Sequence, residues 1–190
     1  LTGVWSNNGG FSWPGKDPSQ HADFATIWVT HDFGKTVGWQ FKEGRDFSKQ
    51  FATDSAAFVI NESAAKFLGF KDPVGKTLKW NNQPFTIIAV VKDIMQESPF
   101  YPVRPTLFHV GKYENMYNLI IRLNPDKTGS ASLKTIEQVF KKYTPDVPFN
   151  YKFVDEDFGS KFTAEERIGK LSSYFAVLAI FISCLGLFGM

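Results

Sequence analysis

The sequence predicts a mixed α+β domain that ends in one long helix able to cross a membrane. Three observations carry this. Short β-branched and aromatic segments alternate with segments of helical periodicity, the composition is that of a folded chain, and charge stops abruptly at Leu171. The 190 residues are 43% hydrophobic, and 21 Lys and Arg nearly balance 19 Asp and Glu to leave +2. Such a composition excludes intrinsic disorder. It also lacks the basic excess or stripe of a nucleic-acid binder, so no nucleic-acid partner is expected. The single cysteine, Cys184, excludes an intrachain disulfide framework and a cysteine metal cluster.

The elements follow in order. Residues 1–23 hold Asn7-Asn8-Gly9-Gly10 and Trp13-Pro14-Gly15, the chemistry of a strand end and a loop. Phe24 to Thr30 reads as a strand, and His31 to Val37 as a short helix stopped by Gly38. Gly44-Arg45-Asp46-Phe47 is a turn. Ala56 to Ile60 is a short apolar strand, after which Asn61 caps a helix from Glu62 to Leu68 that Gly69 ends. Asp72 to Lys76 turns the chain into a hairpin, with Thr77 to Trp80 leading through Asn81-Asn82 to the buried strand Phe85 to Val91. Pro99, Pro102 and Pro105 space an extended crossing segment.

Tyr117, Leu119, Ile121 and Leu123 alternate with polar residues as a strand would. Leu133, Ile136, Phe140 and Tyr143 form one helical stripe, with Thr128 or Ser130 as cap and Pro145 as stop. Phe149, Tyr151 and Phe153 alternate again. Strand, helix and strand at this spacing predict a right-handed βαβ crossover.

Thr163-Ala164-Glu165-Glu166 is a capping box, and no breaker follows it, so one helix of about 40 Å is expected from Thr163 to Met190. Thr163, Glu166 and Ile168 mark its start. Its charge-free part, marked by Leu171, Phe175, Leu178, Phe181, Leu185 and Phe188, spans roughly 30 Å, one hydrocarbon core. Ten of those last twenty residues are Leu, Ile, Val or Phe, worth about −3 to −6 kcal/mol of insertion before the Ser and Gly costs, which leaves insertion favourable by a narrow margin. Arg167 and Lys170 flank the span together with Glu165 and Glu166, so flanking charge does not orient it. Residues 1–10 have neither the basic start nor the apolar run of a signal peptide, the chain does not begin with Met, and it stops within an apolar run. The expectation is a piece of a longer membrane protein.

Candidate chemistry is sparse. Gly75-Lys76-Thr77 resembles the end of a phosphate loop, but Phe70 stands where that motif needs glycine and Pro73 interrupts it. His21, His31 and His109 are too far apart for a metal pair by spacing, and no metal or cofactor is expected. Asp155, Glu156 and Asp157 read as a solvated linker before the last helix. No nucleophile, base and orienting group assemble by motif, so an anchored hydrolase is disfavoured and no catalytic residue is named. Trp5, Trp13, Trp39 and Trp80 lie in or beside turns, and Trp13 and Trp80 are the surface aromatics best placed to touch a ligand.

Gly44 to Phe47, Ile60 to Ala65, Asp72 to Lys76 and Phe85 to Asp93 resemble, in this order and spacing, the MacB-like periplasmic core domain of bacterial ABC transporter permeases. Ala89 stands where many relatives carry glycine. Ala179 to Gly189 is similar to the start of the second transmembrane helix of FtsX-like permeases. The resemblance implies a permease in the inner membrane of a Gram-negative bacterium, with a first membrane helix before the periplasmic domain and three helices after it. It implies a porter-like α+β part, residues 1–30 and 106–160, with residues 31–105 inserted as a smaller β-rich part and residues 161–190 as stalk and membrane helix. ATP would be hydrolysed on a separate cytoplasmic ATP-binding cassette subunit. A second permease copy would pair with the first, and a periplasmic or outer-membrane partner would complete the assembly. The expected role is transmission of ATP-driven motion to export or extract a substrate. The alternative from a different class is a membrane-anchored module that binds a sugar or peptide on Trp13 and Trp80.

Overall fold

The computed structural model describes residues 6–17, 19–94, 101–111, 118–160 and 163–188. The chain divides into two compact units, residues 3–149 and residues 150–190 with the first two. The first holds the strands β1 (Asn7–Asn8), β2 (Phe11–Ser12), β3 (Phe24–Val29), β4 (Phe41–Gly44), β5 (Ala57–Asn61), β6 (Thr77–Trp80), β7 (Gln83–Val91) and β8 (Thr106–Val110). Its helices are α1 (Phe33–Val37), α2 (Glu62–Leu68) and α3 (Gly129–Tyr143), with a 3-10 turn at Ala52–Ala56. The second unit holds α4 (Val154–Ser160) and α5 (Thr163–Phe188).

All eight strands join one mixed sheet, ordered β1-β3-β8-β5-β7-β6-β2, with β4 also paired to β7. β3 runs parallel to β8 and β5 parallel to β7, while the remaining pairs are antiparallel. Strands from residues 1–30, from residues 31–105 and from Thr106–Val110 are therefore neighbours in a single sheet. β1 and β2 explain its shape. Only Gly9 and Gly10 separate them, yet β1 pairs with β3 near one edge and β2 with β6 near the other. Three Cα steps span at most about 11 Å, so the edges must approach and the sheet must curl. Gly10 makes this possible with φ of 81°, where any Cβ would run into the Asn81 side chain.

The inner face of the curl is filled by Phe11, Phe24, Phe58, Ile60, Leu78, Ile87 and Leu107, and α2 adds Ala64 and Leu68. Phe11 stacks on Trp80 with ring centres 5.5 Å apart and meets Phe24 edge to face at 5.0 Å. All of β5 is buried, because alternate residues serve both faces. Its partner Phe108 on β8 points to the other face, where it meets Trp39 at 4.9 Å and Phe33 at 6.1 Å.

Several expectations hold in detail. Asn61 caps α2, accepting from the Ala64 amide at 2.9 Å, and Gly69 ends it in the left-handed region. Asn81 and Asn82, both at positive φ, turn β6 into β7. Thr128 caps α3, accepting from the Ala131 amide; Leu133, Ile136 and Phe140 are half-buried along its stripe, and Tyr143 is exposed.

Other expectations need correction. Residues 118–123 and 149–153 form no strand; Tyr117 lies outside the described residues. Alternation supplies a face, but a strand also needs a neighbour for its backbone groups. No strand pairs there among the described residues, and Leu119 is 82% exposed. The strand–helix–strand crossover lies earlier, where β5, α2 and the β6 hairpin lead to β7, parallel to β5. Asp155, Glu156 and Asp157 are not a linker but the first turn of α4, where carboxylates suit the positive end of the helix. Trp39 is buried at 8% exposure, drawn in by Phe33, Phe41, Phe47 and Phe108. Trp5 and Pro99 lie outside the described residues.

Candidate functional site

α5 is the feature with the plainest functional reading. Its 26 residues run without a break, and a rise of 1.5 Å per residue makes it about 39 Å long. Arg167–Phe188 within it is long and apolar enough to cross a membrane, and none of it is buried in the protein. A core helix of a soluble domain would hide such a face. Leu171, Phe175, Leu178, Phe181 and Leu185 are 51–61% exposed and Phe188 is 90% exposed, so apolar surface surrounds the helix. Ile168, at 65%, lies where the polar start meets the apolar span. Thr163 opens the helix as the sequence predicts, while the side chains of Thr163 and Glu166, and so the capping box itself, lie outside the described residues. Ser173 and Ser183 hydroxyls donate to the carbonyls of Gly169 and Ala179, which satisfies their polar groups inside the helix.

The two surface aromatics are both packed. Trp13 is half-buried against Phe24 and Phe67, with the Lys16 ammonium 5.4 Å from its ring. Trp80 is half-buried between Phe11, Trp28, Phe85 and His109. The two indoles pack on the same core but on different rings, Trp13 on Phe24 and Phe67 and Trp80 on Phe11 and Phe85. Trp28, which no turn signal marked, lies with Trp80 at 5.9 Å although β3 and β6 are not neighbours in the sheet.

The motifs that carry the resemblance have structural work. Arg45 holds Asp54 with two hydrogen bonds of 2.7 and 2.8 Å, and the Ser48 amide donates to the same carboxylate. This arrangement keeps the Asp54 carboxyl below its ordinary range, chiefly through the Arg45 hydrogen bonds, and the guanidinium also covers the Phe51 ring at 4.0 Å. Gly44 has φ of 85°, and a Cβ there would collide with the backbone of Ile88 and Ala89. That close approach is why β4 lies tightly against β7. Lys42 pairs with Glu62, whose carboxylate accepts from the Asp93 amide, while Asp93 accepts from the Ser63 amide and hydroxyl. Gly75-Lys76-Thr77 leads into β6 and not into a helix, so it has no phosphate-loop geometry. Among the described residues no cluster of His, Cys, Asp and Glu could hold a metal ion.

Comparison with known proteins agrees with the fold. A family model described as the MacB-like periplasmic core domain matches residues 5–139. The macrolide export ATP-binding/permease protein MacB of Campylobacter fetus is 40% identical over 57 residues, 29% of this chain and 9% of that protein. Among solved structures, the periplasmic region of MacB from Actinobacillus actinomycetemcomitans is similar with a TM-score of 0.52 and 18% identity, covering 73% of this chain and 64% of that one. A domain of a permease protein from Porphyromonas gingivalis is similar with a TM-score of 0.51 and 16% identity, covering 73% and 60%. The chain thus spans a small fraction of the curated relative and under two thirds of these structures.

Proposed function

Because the chain belongs to the family of MacB-like periplasmic core domains, the periplasmic domains of ABC transporter permeases, we propose that it transmits ATP-driven motion across the membrane to export or extract a substrate. The observation that carries this reading is α5: an unbroken 26-residue helix joins the polar part of the chain to a span able to cross a bilayer. A continuous helix moves as one body, so displacement in the membrane reaches the domain before it. In this proposal residues 1–30 and 106–160 form the part that leads to the membrane, with residues 31–105 as an insertion in it. The chain itself performs no catalysis. ATP is hydrolysed by a cytoplasmic ATP-binding cassette subunit, a second permease copy completes the pair, and a periplasmic or outer-membrane partner receives the motion. The assembly sits in the inner membrane of a Gram-negative bacterium.

Affinity purification of the full-length parent tests the reading. An ATP-binding subunit should come with it, and ATP turnover should need both chains. A parent that purifies alone and acts without any ATPase would overturn it and favour the anchored binding module for a sugar or peptide. That module draws less support, because the faces of Trp13 and Trp80 are engaged in packing.

A further inference from the structure

His109 is a buried titratable group that the proposed transmission does not use. It lies on β8, 6% exposed, and among the described residues neither Nδ1 nor Nε2 has a hydrogen-bond partner. Four aromatic side chains surround it. Trp28, its register partner on β3, lies at 4.1 Å between ring centres; Phe85 on β7 lies at 5.6 Å, Phe58 on β5 at 5.8 Å and Trp80 on β6 at 6.0 Å. These are the groups packed against it from each of those strands, and none titrates or carries charge. Both nitrogens are sealed from solvent, so the cage offers no entrance to a ligand. A phenyl ring would fill this place without two unpaired polar atoms, which makes packing alone a poor account of an imidazole here.

The position of the cage gives the imidazole leverage. Trp28 belongs to β3 and Trp80 to β6, strands from opposite sides of the curl that meet above His109. Trp80 also stacks on Phe11 of β2, the short strand that closes the sheet. Among the described residues no carboxylate offsets an imidazolium here, and a buried unpaired charge is strongly disfavoured. Hydration requires one of the half-buried rings over it, Trp28, Trp80 or Phe85, to withdraw, and the two indoles are the ones that bridge β3 and β6. We propose that His109 is a proton-sensitive latch: neutral, it lets Trp28 and Trp80 close over it, and protonated, it parts them and opens the seam between β3 and β6.

Burial lowers the imidazole from its ordinary 6.5 to about 4. The negative faces of the four rings attract a cation and oppose this shift, but with water excluded and no anion near among the described residues, burial prevails. At pH 5 the folded form is about tenfold more neutral than charged, whereas a solvated histidine is almost wholly charged. The periplasmic side of a membrane follows the acidity of the medium, so the latch stays closed at neutral pH and opens in acid.

The test uses the full chain in detergent micelles with 13Cε1-labelled histidine, titrated from pH 7.5 to 3.5 while acrylamide quenching of tryptophan fluorescence is recorded. His21→Gln and His31→Gln assign the three signals. The His109 signal should remain in its neutral position at pH 6 and move only near pH 4, together with a rise in quenching. His109→Phe should fold and lose that rise. Should the phenyl variant fail to fold, His109→Gln, which is neutral throughout, should lose it as well. A rise that survives in either variant, or a His109 signal that titrates near 6.5 with quenching unchanged, overturns the proposal.

Discussion

Asn61 concentrates three hydrogen bonds in one buried side chain. Its Oδ1 accepts from the Ala64 and Thr106 amides at 2.9 Å each, and its Nδ2 donates to the Arg104 carbonyl at 2.9 Å. One residue thus starts α2 and fixes the entry of β8. Asn61→Ala should cost about 2–4 kcal/mol, a lost cap plus unpaired buried backbone groups. Melting of the full chain in detergent should show a fall of about 5–10 °C. Loss of no more than a degree would mean that water replaces all three bonds. Residues of this kind are half legible in sequence. The cap follows from Asn61 standing between an apolar strand and a helix, but its partners 43 and 45 residues away leave no local signal. Asp54 as the partner of Arg45 is equally silent, and so is the orphaned imidazole of His109, which in sequence is one of three scattered histidines.

At the scale of elements, local chemistry determined what was legible. α2, the β6–β7 hairpin and α3 each carry their own start and stop, and each forms where the sequence places it. Residues 118–123 and 149–153 have the strand alternation without a neighbouring strand among the described residues, and a strand cannot be completed by its own residues. β1 and β2 were legible only as a strand end, because two-residue strands take their identity from distant pairing partners. α5 is the opposite case, since length and lack of charge mark it without any partner. Its apolar residues favour insertion by about 3–6 kcal/mol before the Ser and Gly costs, and exchanging a leucine for a lysine at the middle of a span costs about 3–4 kcal/mol. Leu178→Lys should therefore bring insertion close to balance. Glycosylation mapping in microsomes would then show about half of the chains spanning, against nearly all of the unaltered ones. A variant that inserts as completely as the original would mean that α5 is held by neighbouring protein and not by its own hydrophobicity.

For the whole molecule, the issue is whether domain and membrane helix move together. The curled sheet is closed by the pairings of β1 with β3 and of β2 with β6 and is filled by a continuous aromatic core, which makes it a body that can be displaced without deforming. In the proposed transmission, α5 displaces it only while the helix is continuous through Ile168, the position where charge gives way to apolar surface. Proline there removes a backbone donor and clashes with the preceding turn, at a cost of about 3 kcal/mol. Alanine keeps the helix and removes only the side chain. In the full-length parent with its ATP-binding subunit, Ile168→Pro should leave the sheet folded by circular dichroism and near-ultraviolet fluorescence while substrate-stimulated ATP turnover and transport fall together; Ile168→Ala should retain both. The contrast separates transmission from stability, because both variants leave the sheet's core untouched. Undiminished transport and stimulation in the proline variant would show that motion reaches the periplasmic side by another route, and α5 would then serve as an anchor.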